Sequence, residues 1–257
     1  MEKIRGPRVG VWLAAGGLIL LMLGVYLNRS YGRIYNFIKA HQVVPSGGQH
    51  QIISARRMGP NTPTLTYIAL GDSLTAGVGT NEIAASYPYR LGQYWSEQKL
   101  VKLINLATPG ARTADITRLQ LPELVQTQNI DRITLLIGIN DIHHNLPLTV
   151  FKNNYRELLK RLEQAVPGKT TVLTIPYLGD PKLFLPPYKS YFDYQTKRFN
   201  TIIRAVAAEQ GIPVIDLYNL PIESEQQKPH FYSPDLFHPS AEGYAWWARA
   251  IYDHFGT

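Results

Sequence analysis

The sequence predicts an α/β domain, a parallel sheet with helices on both faces, carried behind an apolar N-terminal segment. Three observations predict it. From Leu65 onward, β-prone apolar runs alternate with longer stretches of helical periodicity, the pattern of parallel strands joined by crossover helices. The residues with chemical potential fall where those strands end, and open α/β sheets bind ligands outside the carboxyl ends of their strands. Before all of this, Val9 to Leu27 runs without a charge.

That first stretch is expected to be a membrane anchor. A helix of its length, at about 1.5 Å per residue, approaches the roughly 30 Å hydrocarbon core of a bilayer. The expected organisation is an anchor over 1–30 with a transmembrane helix over about 9–27, a juxtamembrane segment and linker over 31–62, and a folded domain over 63–257. Lys3, Arg5 and Arg8 also suit the start of a cleaved signal peptide, which is the competing reading and would give a secreted protein. The apolar run is longer than usual for a signal, and Asn28-Arg29-Ser30-Tyr31 offers no small-x-small cleavage site. The positive-inside rule holds Lys3, Arg5 and Arg8 in the cytoplasm and places the domain outside it, while Arg29, Arg33 and Lys39 pull the other way. In the linker, Pro45-Ser46-Gly47-Gly48 and Gly59-Pro60-Asn61-Thr62-Pro63 are breaker clusters, and Ile34–Ala40 suits a short helix. The chain has no cysteine, which excludes disulfides and a lipid-modified cysteine.

The net charge of +7 raises the question of a nucleic-acid partner. Its location answers it. Residues 1–60 carry eight basic residues against Glu2 alone, and the other 18 basic residues are matched by 18 acidic ones. The surplus flanks the apolar segment, where anionic head groups attract it, and the domain has no basic bias toward a polyanion.

In order, the strands are Leu65–Leu70, Val101–Leu106, Arg132–Ile137, Thr170–Ile175 and Pro213–Leu217. Helices fit between them over Ser86–Lys99, Thr113–Thr127, Thr149–Ala165, Tyr191–Gln210 and Ser240–His254. Pro122 predicts a kink or break in the second, and Ser240 with Glu242 opens the last as an N-cap and a first-turn acid.

The first strand stops at Gly71 and presents Asp72 and Ser73 on the turn. A serine hydroxyl needs a neighbouring base that is itself oriented by a third group. Asp235 and His238 offer both, three residues apart in the loop before the last helix. Taken alone they read rather as a turn acid after Pro234 and a loop histidine, and as a metal pair they lack further ligands. Asn140, at the third strand's end, can donate its amide to a developing oxyanion or simply cap a helix. Gly110 can offer a backbone N–H at close approach or simply form a turn after Pro109. Gly77-Val78-Gly79 lacks the residues of a P-loop or a dinucleotide fingerprint, and no G-x-S-x-G elbow surrounds Ser73.

Together, Gly71-Asp72-Ser73-Leu74 with Gly77, Gly110 after Asn105, Gly138-x-Asn140-Asp141 and Asp235-x-x-His238-Pro239 resemble, in order and rough spacing, the four blocks of the SGNH or GDSL-type hydrolases. The resemblance spans about Leu65 to His254. It implies a flavodoxin-like three-layer α/β/α fold with a five-stranded parallel sheet, and hydrolysis of carboxylic esters without metal or cofactor. It further implies Ser73 as nucleophile, His238 as base, Asp235 as its orienting acid, and Gly110 and Asn140 as oxyanion donors beside the Ser73 N–H. An O-deacetylase or acyltransferase on the same fold, or a silent anchored binding module, are the alternatives. Tyr177-Leu178, Leu183–Tyr188 and Pro229–Pro234 add aromatic and aliphatic residues on the same rim, read either as an acyl-binding wall or as satellite core.

Overall fold

The computed structural model describes residues 9–54, 59, 61–177, 179–180, 182–184, 186–219 and 230–255, with side chains at 13 and from 15 onward. The chain divides into two compact units, Met1–His41 and Gln42–Thr257. The described residues of the first form a single helix, α1 (Val9–His41), which absorbs the short helix expected over Ile34–Ala40. Among the described residues no helix is long and apolar enough to cross a membrane. Residues 1–8 and the side chains of 9–12 and 14, where the expected span begins, lie outside the described residues.

The second unit is built on one sheet in the order β1-β3-β2-β4-β5-β6. Its strands are β1 (His50–Ile53), β2 (Thr64–Gly71), β3 (Leu100–Asn105), β4 (Arg132–Leu136), β5 (Thr170–Leu173) and β6 (Val214–Ile215). The last five are mutually parallel and take the flavodoxin-like 2-1-3-4-5 order among themselves. β2, β4 and β5 are buried along nearly their whole lengths, as strands covered on both faces must be.

The expected all-parallel, five-stranded sheet is corrected by β1. This strand runs antiparallel to β3 from His50↔Ile104 to Ile53↔Val101, in a stretch expected to be linker. Four residues between two breaker clusters give almost no periodicity. What forms the strand is long-range: β3 would otherwise be an open edge, and an open edge is a template for unwanted pairing.

Helices α3 (Tyr87–Trp95) and α9 (Ala241–His254) pack together, with Tyr87 against Trp247 and Tyr94 against Tyr252. α7 (Leu148–Ala165) and α8 (Tyr188–Glu209) pair through Phe151 and Phe199. Right-handed crossovers put these pairs on opposite faces of the sheet, giving three layers. Shorter elements stand at the strand ends: α2 (Ser73–Ala76), a 3₁₀ turn over Ile83–Ala85, α4 (Thr113–Asp115), α5 (Leu121–Leu124) and α6 (Ile139–His143). Between α4 and α5, Ile116–Gln120 is a π-helical turn in which the Leu121 N–H reaches the Ile116 carbonyl. This is the break that Pro122 predicts, since proline lacks a donor and its ring crowds the carbonyl four residues back.

Candidate active site

β2 delivers the first site residue. Its ladder ends at Gly71, Asp72 caps α2 by accepting the Leu74 N–H at 3.0 Å, and Ser73 is the helix's first residue. The chain after α2 returns close to the second half of the site. At Gly79 (φ +102°) an added Cβ would lie 2.3 Å from the Pro239 carbonyl oxygen and 3.0 Å from the His238 Cβ, so only glycine permits this approach.

The loop before α9 folds back on itself. Ser240 N–H donates to the Phe231 carbonyl, Ser233 N–H to that of His238, and Leu236 N–H to that of Ser233. Leu236 takes φ +58°, unusual for a branched residue, and this turn brings Asp235 and His238 side by side. Asp235 Oδ1 accepts from Ser233 Oγ and from the N–H groups of Phe237 and His238, all within 2.9 Å. Its Oδ2 accepts from His238 Nδ1 at 2.6 Å, and His238 Nε2 lies 3.0 Å from Ser73 Oγ. Burial pushes the Asp235 carboxyl up, but the bond from His238, that ring's charge and the two backbone donors outweigh it and hold it below the ordinary value. Asp235 therefore stays an anion, and an anion at Nδ1 fixes the tautomer that leaves Nε2 free to accept the serine proton.

Asn140 is the second residue of α6, at the end of β4. Its Nδ2 donates to the Ala111 carbonyl at 2.9 Å, which engages one amide hydrogen and ties α6 to the turn after β3. Asp141 strengthens that tie, because its Oδ2 accepts both the N–H and the hydroxyl of Thr113 at 3.0 Å. Gly110 sits in this turn, exposed and left-handed at φ +83°. Thus the structure brings Ser73, His238 and Asp235 into one hydrogen-bonded relay and joins Asn140 to the Gly110 turn. Ser73, Gly110 and Asn140 follow the ends of β2, β3 and β4, at the point where the strand order reverses, and the loop before α9 brings Asp235 and His238 to Ser73.

Four participants had no expected role: Asp72, Thr113, Gln120 and Ser233. Ser233 was signalled by its place two residues before Asp235, but the Thr113–Asp141 and Gln120–Gly71 bonds join residues 28 and 49 positions apart and leave no local pattern. His143, beside Asn140, is half-buried against the rings of Phe192 and Phe237. Burial, then the charges of His144 and His238, pushes it down to about 4, so it is neutral at physiological pH. Among the described residues no group of three His, Cys, Asp or Glu could hold a metal ion.

The rim loops divide between the two readings: Leu183, Phe184 and Phe231 are buried, Tyr177, Tyr188 and Tyr232 are half-buried and Pro186, Pro187 and His230 are exposed, while Leu178, Leu185 and Pro229 lie outside the described residues. A narrow cleft remains beside them, lined by Ile139, His143, Tyr177, Phe184, Phe192 and Phe237 among others.

A nucleophile–base–acid relay at the switch point of a 2-1-3-4-5 sheet, flanked by candidate oxyanion donors, has the form of a serine-dependent hydrolase. The sequence agrees. The chain belongs to the GDSL-like lipase/acylhydrolase family, which matches residues 69–246, and it is an ester-hydrolysing enzyme. It is 29% identical over 200 residues to the spore germination lipase LipC of Bacillus licheniformis, covering 70% of this chain and 92% of that protein. Two solved structures share the fold. The psychrotrophic esterase EstA of Pseudoalteromonas sp. gives a TM-score of 0.58 at 21% identity, covering 74% of this chain and 96% of that one. Axe2, an acetylxylan esterase from Geobacillus stearothermophilus, gives 0.57 at 18%, covering 76% and 96%.

Proposed function

We propose that the chain hydrolyses carboxylic esters through an acyl-enzyme on Ser73. The observation that carries this reading is the relay from Ser73 Oγ through His238 to Asp235, at 3.0 and 2.6 Å. His238 Nε2 takes the hydroxyl proton as Ser73 Oγ attacks the ester carbonyl, and Asp235 stabilises the imidazolium. The tetrahedral oxyanion accepts from the N–H groups of Ser73 and Gly110 and from the remaining Asn140 amide hydrogen. His238 returns the proton to the leaving alcohol, and water then releases the acid by the same steps in reverse. A fluorophosphonate probe tests this: it should label the wild-type chain and not S73A. Equal labelling of both would remove Ser73 from the mechanism.

The substrate carries an apolar acyl group. In support, the cleft is lined by Ile139, Phe184, Phe192 and Phe237, and two of these, Ile139 and Phe237, are the chain neighbours of Asn140 and His238. Each methylene buried there is worth up to about 0.8 kcal/mol, and kcat/KM should rise with chain length across a series of chromogenic esters. A maximum at acetyl with a steady fall beyond it would point to O-deacetylation. Products formed with added alcohol acceptors would separate an acyltransferase.

The enzyme is tethered to a membrane through α1, with its domain outside the cytoplasm. Leu18 to Leu23, Val25 and Tyr26 are all exposed around the helix, with Arg29, Arg33 and Lys39 following to meet anionic head groups. The full chain should float with anionic vesicles, and the double variant L20E/L23E should not. Flotation of both alike would dismiss the anchor.

A further inference from the structure

Gly71 is the last residue of β2, two positions before Ser73, and its backbone groups face the side from which β3 has turned away. The β2–β3 register ends at Ala69↔Asn105, and the Leu106 N–H makes the next bond, to the Ala69 carbonyl. Beyond the strand, the segment after β3 still offers the Gly71 carbonyl a backbone donor in Thr108, while the Gly71 N–H turns to a side chain. Gln120 fills the place: its Oε1 accepts the Gly71 N–H at 3.0 Å and its Nε2 donates to the Gly71 carbonyl at 2.7 Å. The same carbonyl accepts the Thr108 N–H at 3.1 Å. One side-chain amide thus performs both functions of a ladder residue.

Its delivery is specific. Gln120 is 1% exposed and ends the π-helical turn Ile116–Gln120. Such turns often mark functional sites, and this one sits where Pro122 interrupts the helix. We infer that Gln120 is a positioning residue for the nucleophile, acting through Gly71 to hold the strand end from which Ser73 projects. The inference rests on the reading of Ser73 as nucleophile. Gln120 does not touch the reacting atoms. Together with the Thr108 N–H it forms the fixed wall against which the Asp72–Ser73 turn is set, opposite the pairing of Gly71 with Leu136 on β4.

The experiment uses the full chain and a chromogenic ester, with wild type, S73A, Q120M and Q120E compared by steady-state kinetics, fluorophosphonate labelling rate and thermal melting. Q120M keeps the length of the side chain and loses both bonds. A small displacement of a reacting group can cost up to about 10²-fold, so its kcat should fall about 10- to 100-fold with KM within about threefold, and the labelling rate should fall in step. Q120E, protonated in this buried place, still accepts from the N–H and donates to the carbonyl of Gly71. Its kcat should stay near that of wild type at acid pH and fall as the pH rises through a range where wild type is flat. A Q120M enzyme with a lowered melting temperature but unchanged kcat would overturn the inference and leave a purely structural residue. Should Q120M fail to fold, the Q120E pH profile decides, and a profile identical to that of wild type overturns it. S73A separates the two readings: if it hydrolyses as fast as wild type, the nucleophile assignment fails, whatever Gln120 does.

Discussion

Asp235 and His238 are held by bonds from residues two or three positions away, whereas the turn bearing Ser73 is held from 12, 30, 49 and 166 positions away. Ser233, Phe237 and His238 supply the donors to Asp235 within one self-closing loop. By contrast, Tyr87 bonds the Thr75 hydroxyl, Asn105 the Thr75 carbonyl, Gln120 the Gly71 backbone and Tyr244 the Val78 carbonyl. The carboxylate of the acid–base pair is therefore held locally, although its loop is also tied to the Asp180 N–H through the Leu236 carbonyl, while the nucleophile takes its place only once the sheet and three helices have assembled around it. Loosening the sheet should disturb Ser73 before it disturbs the Asp235–His238 bond.

The largest effect should come from cutting the link between the two regions. S73A or H238A should each lower kcat by about 10⁴–10⁶, and the double variant should cost little more, because the pair acts as a unit. Multiplicative losses in steady-state rates would break the reading. Next, N140A should lower kcat by about 10²–10³ with a much smaller change in KM, as expected for a donor that engages the transition state. A pure KM effect would assign Asn140 to substrate binding.

The long-range side has its own test in Asp72. This carboxyl is fully buried, with Oδ2 unpaired. Burial pushes it up to about 7, opposed by the Leu74 N–H and assisted by the charge of Asp141 on α6. Tyr87 from α3 and Tyr244 from α9 are the other titratable groups that feel its charge. Because the folded chain binds this proton more tightly than the unfolded one, the group's stabilising contribution is complete below its unfolded value of 3.8, falls as pH rises toward 7, and stays low above it. D72N keeps an oxygen for the Leu74 N–H and cannot ionise. Its melting temperature should exceed that of wild type by about 5 °C or more at pH 8, a gap that narrows toward pH 5. A gap independent of pH would show that Asp72 does not titrate in this range. The smallest effect belongs to the local side. S233A leaves Asp235 two backbone donors, and should cost about 1 kcal/mol in denaturant unfolding with kcat within about threefold. A tenfold loss would mean that the local cluster does not stand by itself.

The same contrast explains what the sequence made legible. Ser73 at the end of an apolar run and Asp235 three residues before His238 are readable because local spacing carries them. The five parallel strands were readable because each is a periodic run bounded by breakers. β1 was not, since four residues form a strand only when β3 offers them an edge. Gln120 and Thr113 were invisible for the same reason: their partners are brought to them by topology. The rim aromatics Phe184 and Phe231 show the converse limit, because hydrophobicity alone does not say whether a ring faces a ligand or fills the interior.

The pairing of β1 with β3 also fixes where this chain can be cut. Gly79 N–H bonds the Val43 carbonyl, Ile83 N–H that of Ser46, and Asn105 N–H that of Gln49, so the residues ahead of β2 are sewn to both the nucleophile turn and the outer strand. A fragment beginning at residue 61 loses these bonds and leaves β3 with a row of unpaired donors and acceptors, the surface on which sheets grow from one molecule to the next. A fragment beginning at residue 42 keeps β3 paired and leaves only the four-residue β1 at that edge. Size-exclusion chromatography should find the longer fragment eluting as a discrete species and the shorter one as aggregate.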